Sequence, residues 1–249
     1  MIELIDFSKS YSHNKKIIVQ NISLKAEKGS VTGLLGLNGA GKPTIIKALC
    51  ALHFADSGKI IVSSSGRKYD AEKDIEAVKK SIGYVPEQPE LPGFLTVKEY
   101  LLFVQELYDV RREERKIFFE KTVAECMLES VLEKKIRTLS KGFKQRVCLA
   151  AALIHEPENL ILDEPVNGLD PAQIIQFRKI IKHAAETKTV LLSTHLMQEV
   201  QAVCSKIYII SDGKISAEGT ACQIMAFTGT ASIEDAFLKI TGANDEKLS

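Results

Sequence analysis

Gly36-Leu37-Asn38-Gly39-Ala40-Gly41-Lys42 places three glycines and a lysine within seven residues, a spacing suited to holding phosphate. Gly36, Gly39 and Gly41 allow the backbone N–H groups of this loop, Leu37, Asn38 and Ala40 included, to turn inward around phosphate oxygens. The positive end of a following helix adds to the attraction, and Lys42 reaches the outer phosphates. Such a loop normally continues with Ser or Thr. Here the next residue is Pro43, offering neither a hydroxyl for Mg²⁺ nor an N–H for a phosphate. Its fixed φ suits the first turn of a helix, so the loop is expected to fold with altered chemistry. Thr44 is no direct substitute, because successive helical side chains point about 100° apart.

A second constellation ends the apolar run Leu160-Ile161-Leu162, where Asp163 and Glu164 stand side by side before Pro165. Successive strand residues face opposite ways, so the two can do different jobs. One carboxylate then serves a metal and its waters and the other an attacking water. A buried strand that delivers two acids to its C-terminal edge delivers them where α/β sheets bind ligands. Between the two constellations, Ser140 and Gly142 open the apolar stretch of "TLSKGFKQRVCLAAAL", gathering a hydroxyl and backbone N–H groups at a positive helix end. Taken alone this is a capped helix. His195, after "LLST", follows another buried strand, and a lone histidine there has either a structural or a catalytic role.

The elements that position these residues follow from hydrophobic periodicity. The segments 2–7 and 22–26 alternate as strands, and 30–36 reads as a buried strand entering the glycine loop, with a helix from 44 to 52 behind it. Short strands are expected in "GKIIVSS" and "IGYVP", then long helical patterns from 97 to about 130. Thr96/Glu99 and Ser130/Glu133 have capping-box spacing. "NLILDEP" is a strand, Pro171 opens a helix, "TVLLST" is a further strand, and "KIYIISDGKISAEG" is a hairpin turned at Asp212-Gly213. This order predicts an α/β fold with a mostly parallel sheet, an antiparallel β portion near the N-terminus and an inserted α-helical subdomain over about 88–156.

Composition narrows the partners. The 33 Lys and Arg balance 32 Asp and Glu, leaving no field to gather nucleic acid or an anionic surface. Five cysteines without a C-x-x-C pair fit reduced, buried thiols better than disulfides or a zinc site. No stretch approaches the ~18 apolar residues of a membrane span, and the first residues do not read as an export signal.

Together these motifs make the chain resemble an ATP-binding cassette ATPase, the nucleotide-binding subunit of a membrane transporter, with "LSKGFKQR" as the family signature, "NGLD" as its D-loop and His195 as its switch histidine. The resemblance implies a single domain over 1–249. Its P-loop NTPase (RecA-like) core lies at about 1–87 and 157–217, the signature subdomain at 88–156 and a helical tail at 218–249. It also implies roles: Tyr11 stacking on adenine, the loop from Gly36 to Thr44 and Lys42 on the phosphates, Asp163 holding Mg²⁺ through water, Glu164 polarising the attacking water and His195 sensing the γ-phosphate. Ser140 and Gly142 face the nucleotide of a second cassette in an ATP-dependent homodimer or heterodimer. Three motifs depart from the pattern: the phosphate loop at Pro43; a later segment where Glu87 stands in place of the family's glutamine, with Gln88 one step on as the candidate metal contact; and the signature at Lys141 and Phe143.

The function so implied is ATP hydrolysis coupled to transport by a separate permease, with the chain peripheral on the cytoplasmic face of the membrane. The short region after His195 and "SIEDAFLKITG" favour export over import. Pro43 motivates a rival, a hydrolysis-impaired subunit that uses ATP as a clamp ligand, although Glu164 and His195 are intact. A soluble cassette of translation or DNA repair requires two cassettes or a long coiled-coil insert. A P-loop kinase lacks the signature helix and D-loop.

Overall fold

A computed structural model describes residues 1–11 and 16–242. The chain opens with β1 (Ile2–Tyr11) and β2 (Lys16–Ala26), both longer than their alternating patterns. Irregular register between Leu4 and Phe7, with Asp6 at φ 49°, explains the difference. A bulge switches the buried face, so the sequence stops alternating while the strand continues. The hydrogen-bonded order β2-β1-β4-β5 completes an antiparallel sheet with β4 (Ser57–Ser64) and β5 (Arg67–Asp70).

The second sheet carries the site. It consists of β3 (Ser30–Leu35), β6 (Ile82–Val85), β7 (Asn159–Asp163), β8 (Thr189–Thr194), β9 (Lys206–Ser211) and β10 (Lys214–Gly219). Its order is β10-β9-β3-β8-β7-β6, with every pair parallel except β9-β10. β3, β7 and β8 are continuous apolar runs because helices or the first sheet cover both faces. The β9-β10 turn places Asp212 and Gly213 at positive φ, as the sequence predicts.

The helices are α1 (Lys42–Leu49), α2 (Ile75–Ser81), α3 (Val97–Leu107), α4 (Arg112–Glu125), α5 (Lys141–Leu153), α6 (Pro171–Ala185), α7 (Met197–Val203), α8 (Ala221–Thr228) and α9 (Ile233–Thr241). α3 begins with the expected reciprocal cap: Thr96 Oγ1 accepts from Glu99 N at 3.1 Å, and Glu99 Oε2 from Thr96 N at 2.7 Å. The long helical pattern after Val97 is two helices. Asp109, at φ 53°, takes the left-handed position that ends α3. Ser130/Glu133 opens no helix. Glu133 reaches Lys98 Nζ at 3.3 Å instead, while Val97 N donates to Lys134 O and Ile136 N to Leu95 O. The acidic end of that local cap is thus taken by a residue of α3.

One core packs α3–α6 against one face of the parallel sheet, and a second packs α1 and the antiparallel sheet against the other. A third, around Leu35, Val200, Ile207 and Phe237, fastens α7–α9 to the edge. Among the described residues no helix is long and apolar enough to cross a membrane. Cys50, Cys126 and Cys148 are buried as expected; Cys204 is half-buried and Cys222 exposed.

Candidate functional site

Three neighbouring strands of the parallel sheet end together. Register sets Leu35 of β3 beside Thr194 of β8, and Ser193 beside Asp163 of β7. The loop Gly36–Gly41, the Asp163-Glu164 pair and His195 therefore leave the sheet at one edge. Two backbone bonds tie them: Gly36 N donates to Thr194 O at 3.3 Å and Glu164 N to Ser193 O at 2.9 Å.

The loop turns into α1 through Gly41 at φ 106°, where a Cβ would stand 2.5 Å from Val19 Cγ1. Glycine is required there on both counts. α1 starts at Lys42, two residues earlier than its apolar pattern, with Pro43 in its first turn. Pro43 is exposed and Thr44 buried, as expected for adjacent helical positions that point apart. Among the described residues, the N–H groups of Asn38, Gly39, Gly41 and Lys42 have no hydrogen-bond acceptor. That cluster of free donors at the positive end of a helix fits a polyphosphate.

Lys42 is 4% exposed. Its Nζ donates to Gly36 O at 2.5 Å and Leu37 O at 3.3 Å, and stands 3.5 Å from Glu164 Oε1. Burial lowers its pKa, against the opposing pull of Glu164. The buried ammonium thus joins the loop carbonyls to the Glu164 carboxylate. Glu164 does not continue β7. Its φ is 47°, a left-handed turn that costs an L residue roughly 1–2 kcal/mol. This corrects the premise of strand alternation: Asp163 and Glu164 diverge because the backbone reverses at Glu164, not because a strand runs through both. The reversal brings Glu164 Oε2 to 2.9 Å from His195 Nδ1 and 3.3 Å from Thr194 Oγ1.

Asp163 is buried, and burial raises its pKa, with the charges of Glu164 and Glu87 adding to the effect. A carboxyl so placed is stabilised in its charged form by a cation. Among the described residues no group of three His, Cys, Asp or Glu could hold a metal unaided. Phosphate oxygens must complete any Mg²⁺ shell, which is how Mg²⁺ usually binds. Of the two candidates in "PEQP", Glu87 is the one whose charge acts on Lys42 and Asp163. Its Oε1 accepts from Asn167 Nδ2 at 3.2 Å. The Glu87 and Gln88 side chains are both exposed and line one cavity of about 310 Å³ with Lys141, Lys144, Gln145 and Asn167. The two side chains thus differ in charge and in the Asn167 contact.

Ser140 caps α5, its Oγ 3.5 Å from Phe143 N, and is exposed. Gly142 is buried against α6, where a Cβ would collide with the Gln173 carboxamide. Neither forms a hydrogen bond to the phosphate loop among the described residues. Tyr11, at the end of β1, is exposed with its ring edge-on to His53 at 5.5 Å. Thr194 was not singled out by the sequence, and Asn167 only as the first residue of the "NGLD" motif. The only signal for Thr194 was a pair of hydroxyl residues closing an otherwise apolar strand.

Comparison with known proteins accords with this geometry. The family model described as ABC transporter matches residues 19–167. The ABC transporter ATP-binding protein YdbJ of Bacillus subtilis is 38% identical over 205 residues, covering 82% of this chain and 64% of that one. The chain therefore spans just under two thirds of YdbJ. LnrL, a linearmycin resistance ATP-binding protein of the same organism, is 36% identical over all of this chain and 78% of its own length. A Nod factor export ATP-binding protein I of Rhizobium sp. is 33% identical over 92% of this chain and 76% of its own. Among solved structures, the post-hydrolysis dimer of the cassette MJ0796 bound to ADP and Pi superposes with a TM-score of 0.76 at 26% identity, over 88% of this chain and 98% of that one.

Proposed function

The chain belongs to the ABC transporter family of ATP-binding proteins, and on that premise we propose that it is a nucleotide-binding subunit whose ATP hydrolysis drives a separate membrane permease, in the direction of export. The observation that carries the proposal is the placement of Glu164. Its buried carboxylate lies between His195 and Lys42, the residue that follows a loop of free N–H donors. In this reading the loop from Gly36 to Thr44 and Lys42 bind the phosphates. Glu164 accepts a proton from the attacking water, and His195 holds Glu164 in place on one side while Lys42 balances its charge on the other. Asp163, with Glu87, would hold Mg²⁺, which when bound neutralises phosphate charge.

Ser140 and Gly142 open α5 away from their own phosphate loop, which supports a role on the nucleotide of a second cassette. The dimeric MJ0796 cassette supports the same arrangement. Exposed Phe94, Phe103 and Leu107 in and beside α3 support a protein partner there, and the permease is the partner the family offers. The Nod factor export relative supports outward transport. Phosphate release from ATP by the isolated chain, measured with and without Mg²⁺, tests the reading; a chain that binds no ATP overturns it. Pro43 supports a second reading, in which ATP acts mainly as a clamp ligand.

Tyr11 provides an independent check. Base–aromatic stacking is worth about 1–3 kcal/mol, or roughly 5- to 150-fold in Kd. Tyr11→Ala is expected to weaken ATP binding within that range, whereas Tyr11→Phe preserves it. Equal affinities for all three proteins, by calorimetry, would remove adenine stacking from Tyr11.

A further inference from the structure

Arg178 and Glu199 form a two-point ion pair, with Nη2 to Oε1 at 2.7 Å and Nε to Oε2 at 3.2 Å. Glu199 is 3% exposed, so the pair is largely dry on its acidic side. Neither residue touches the phosphate loop or the acids, yet each lies on an element that does positional work. Arg178 is on α6, which begins at Asp170: Asp170 Oδ1 accepts from Gln173 N at 2.9 Å. Just before it, Asn167 holds Glu87. Glu199 is on α7, which begins two residues after His195.

α7 has seven residues and no side-chain cap. Met197 and Val200 pack in the third core with α9, Val203 packs against the first core, and Cys204, just past its end, lies where a Cβ at Gly33 would stand 2.8 Å from its Sγ. These contacts seat the helix by shape. The bidentate fork adds a directional tie to α6, because both nitrogens must meet both oxygens. The turn between β8 and α7 carries His195. It is held at its strand end by Thr194 Oγ1, which accepts from Leu196 N at 3.0 Å.

We infer that Arg178 and Glu199 are positioning residues for hydrolysis: the fork locks α7 to α6 and so fixes His195 against Glu164. The inference rests on the ATPase reading above for its kinetic readout, but not for its structural one. A displacement of about 1 Å at a catalytic constellation can cost on the order of 10²-fold in rate. Arg178→Lys keeps the charge and removes the fork, and Glu199→Gln removes the charge.

Both are expected to lower kcat for ATP at least tenfold with little change in KM, and to shift the imidazole NMR resonances of His195. The apolar pair Arg178→Met with Glu199→Met addresses stability, since replacing both members of a buried pair is often neutral or stabilising. It is expected to recover the Tm while kcat stays low. Recovery of kcat together with Tm would make the pair merely structural. Unshifted His195 resonances in Arg178→Lys, or kcat within twofold of wild type, would overturn the inference. A wild-type chain that releases no phosphate but whose His195 resonances respond to Arg178→Lys would sink the ATPase reading and leave the positional link standing.

Discussion

Glu164→Gln is expected to reduce ATP turnover by about 10²- to 10⁴-fold, the usual contribution of a positioned general base, and to leave an ATP-bound dimer accumulating in solution. The substitution changes little else. Glutamine has the same shape and the same Cβ, so the strained φ of 47° is unaltered. Its carbonyl oxygen can still accept from His195 or Thr194, the partners of Glu164 Oε2. What disappears is the charge 3.5 Å from Lys42 Nζ and the capacity to accept a proton. Lys42 loses a buried counter-charge that opposes the lowering of its pKa. A triphosphate supplies negative charge in the same place, so ATP affinity should hold or rise. Ser140 and Gly142 become useful only when a second chain presents them, and blocked hydrolysis removes the step that reopens the pair. Sedimentation should show monomer without nucleotide and dimer with ATP. Undiminished phosphate release would take the general-base role from Glu164, and monomer alone at saturating ATP would remove the dimer.

The phosphate loop was legible because its determinants are local: glycine where the backbone takes positive φ, lysine at the helix start, and a strand before it. The Thr96–Glu99 cap was legible for the same reason, being closed within four residues. Ser130 and Glu133 carry the same spacing and failed, because Glu133 found Lys98 across the fold. The two acids of β7 illustrate a subtler limit. Period-two alternation is a property of a continuing strand, and the strand stops at Asp163. The turn at Glu164 is fixed by Ser193 O on the neighbouring strand, a partner 29 residues away that no local pattern reveals. Glu87 and Gln88 could not be separated for a similar reason: no local pattern distinguishes them, and the contact in which they differ is with Asn167, 80 residues on.

Restoring the missing hydroxyl by Pro43→Ser is expected to raise turnover while changing ATP affinity much less. Binding depends chiefly on groups that Pro43 leaves intact. The free N–H donors of Asn38, Gly39, Gly41 and Lys42 remain in place, and α1 begins normally behind them. Lys42 is held by Gly36 O and Leu37 O whichever residue occupies position 43. Thr44 does not repair the loss, since it is turned into the protein and Pro43 faces out. Serine returns a backbone N–H for a phosphate oxygen and an oxygen ligand for Mg²⁺; Asp163, the other proposed contact of the ion, has its pKa raised by burial and by Glu164 and Glu87. A better-held cation favours ionised Asp163, so the dependence of rate on Mg²⁺ should steepen in the serine variant. Groups that act on transition-state charge are typically worth about 10²- to 10³-fold in kcat, and the gain should fall near that range. Matched assays of the two proteins across Mg²⁺ concentrations decide the matter. Equal turnover at every concentration would mean that water or a neighbouring residue already fills the role, and the clamp reading that rests on Pro43 would lose its only support.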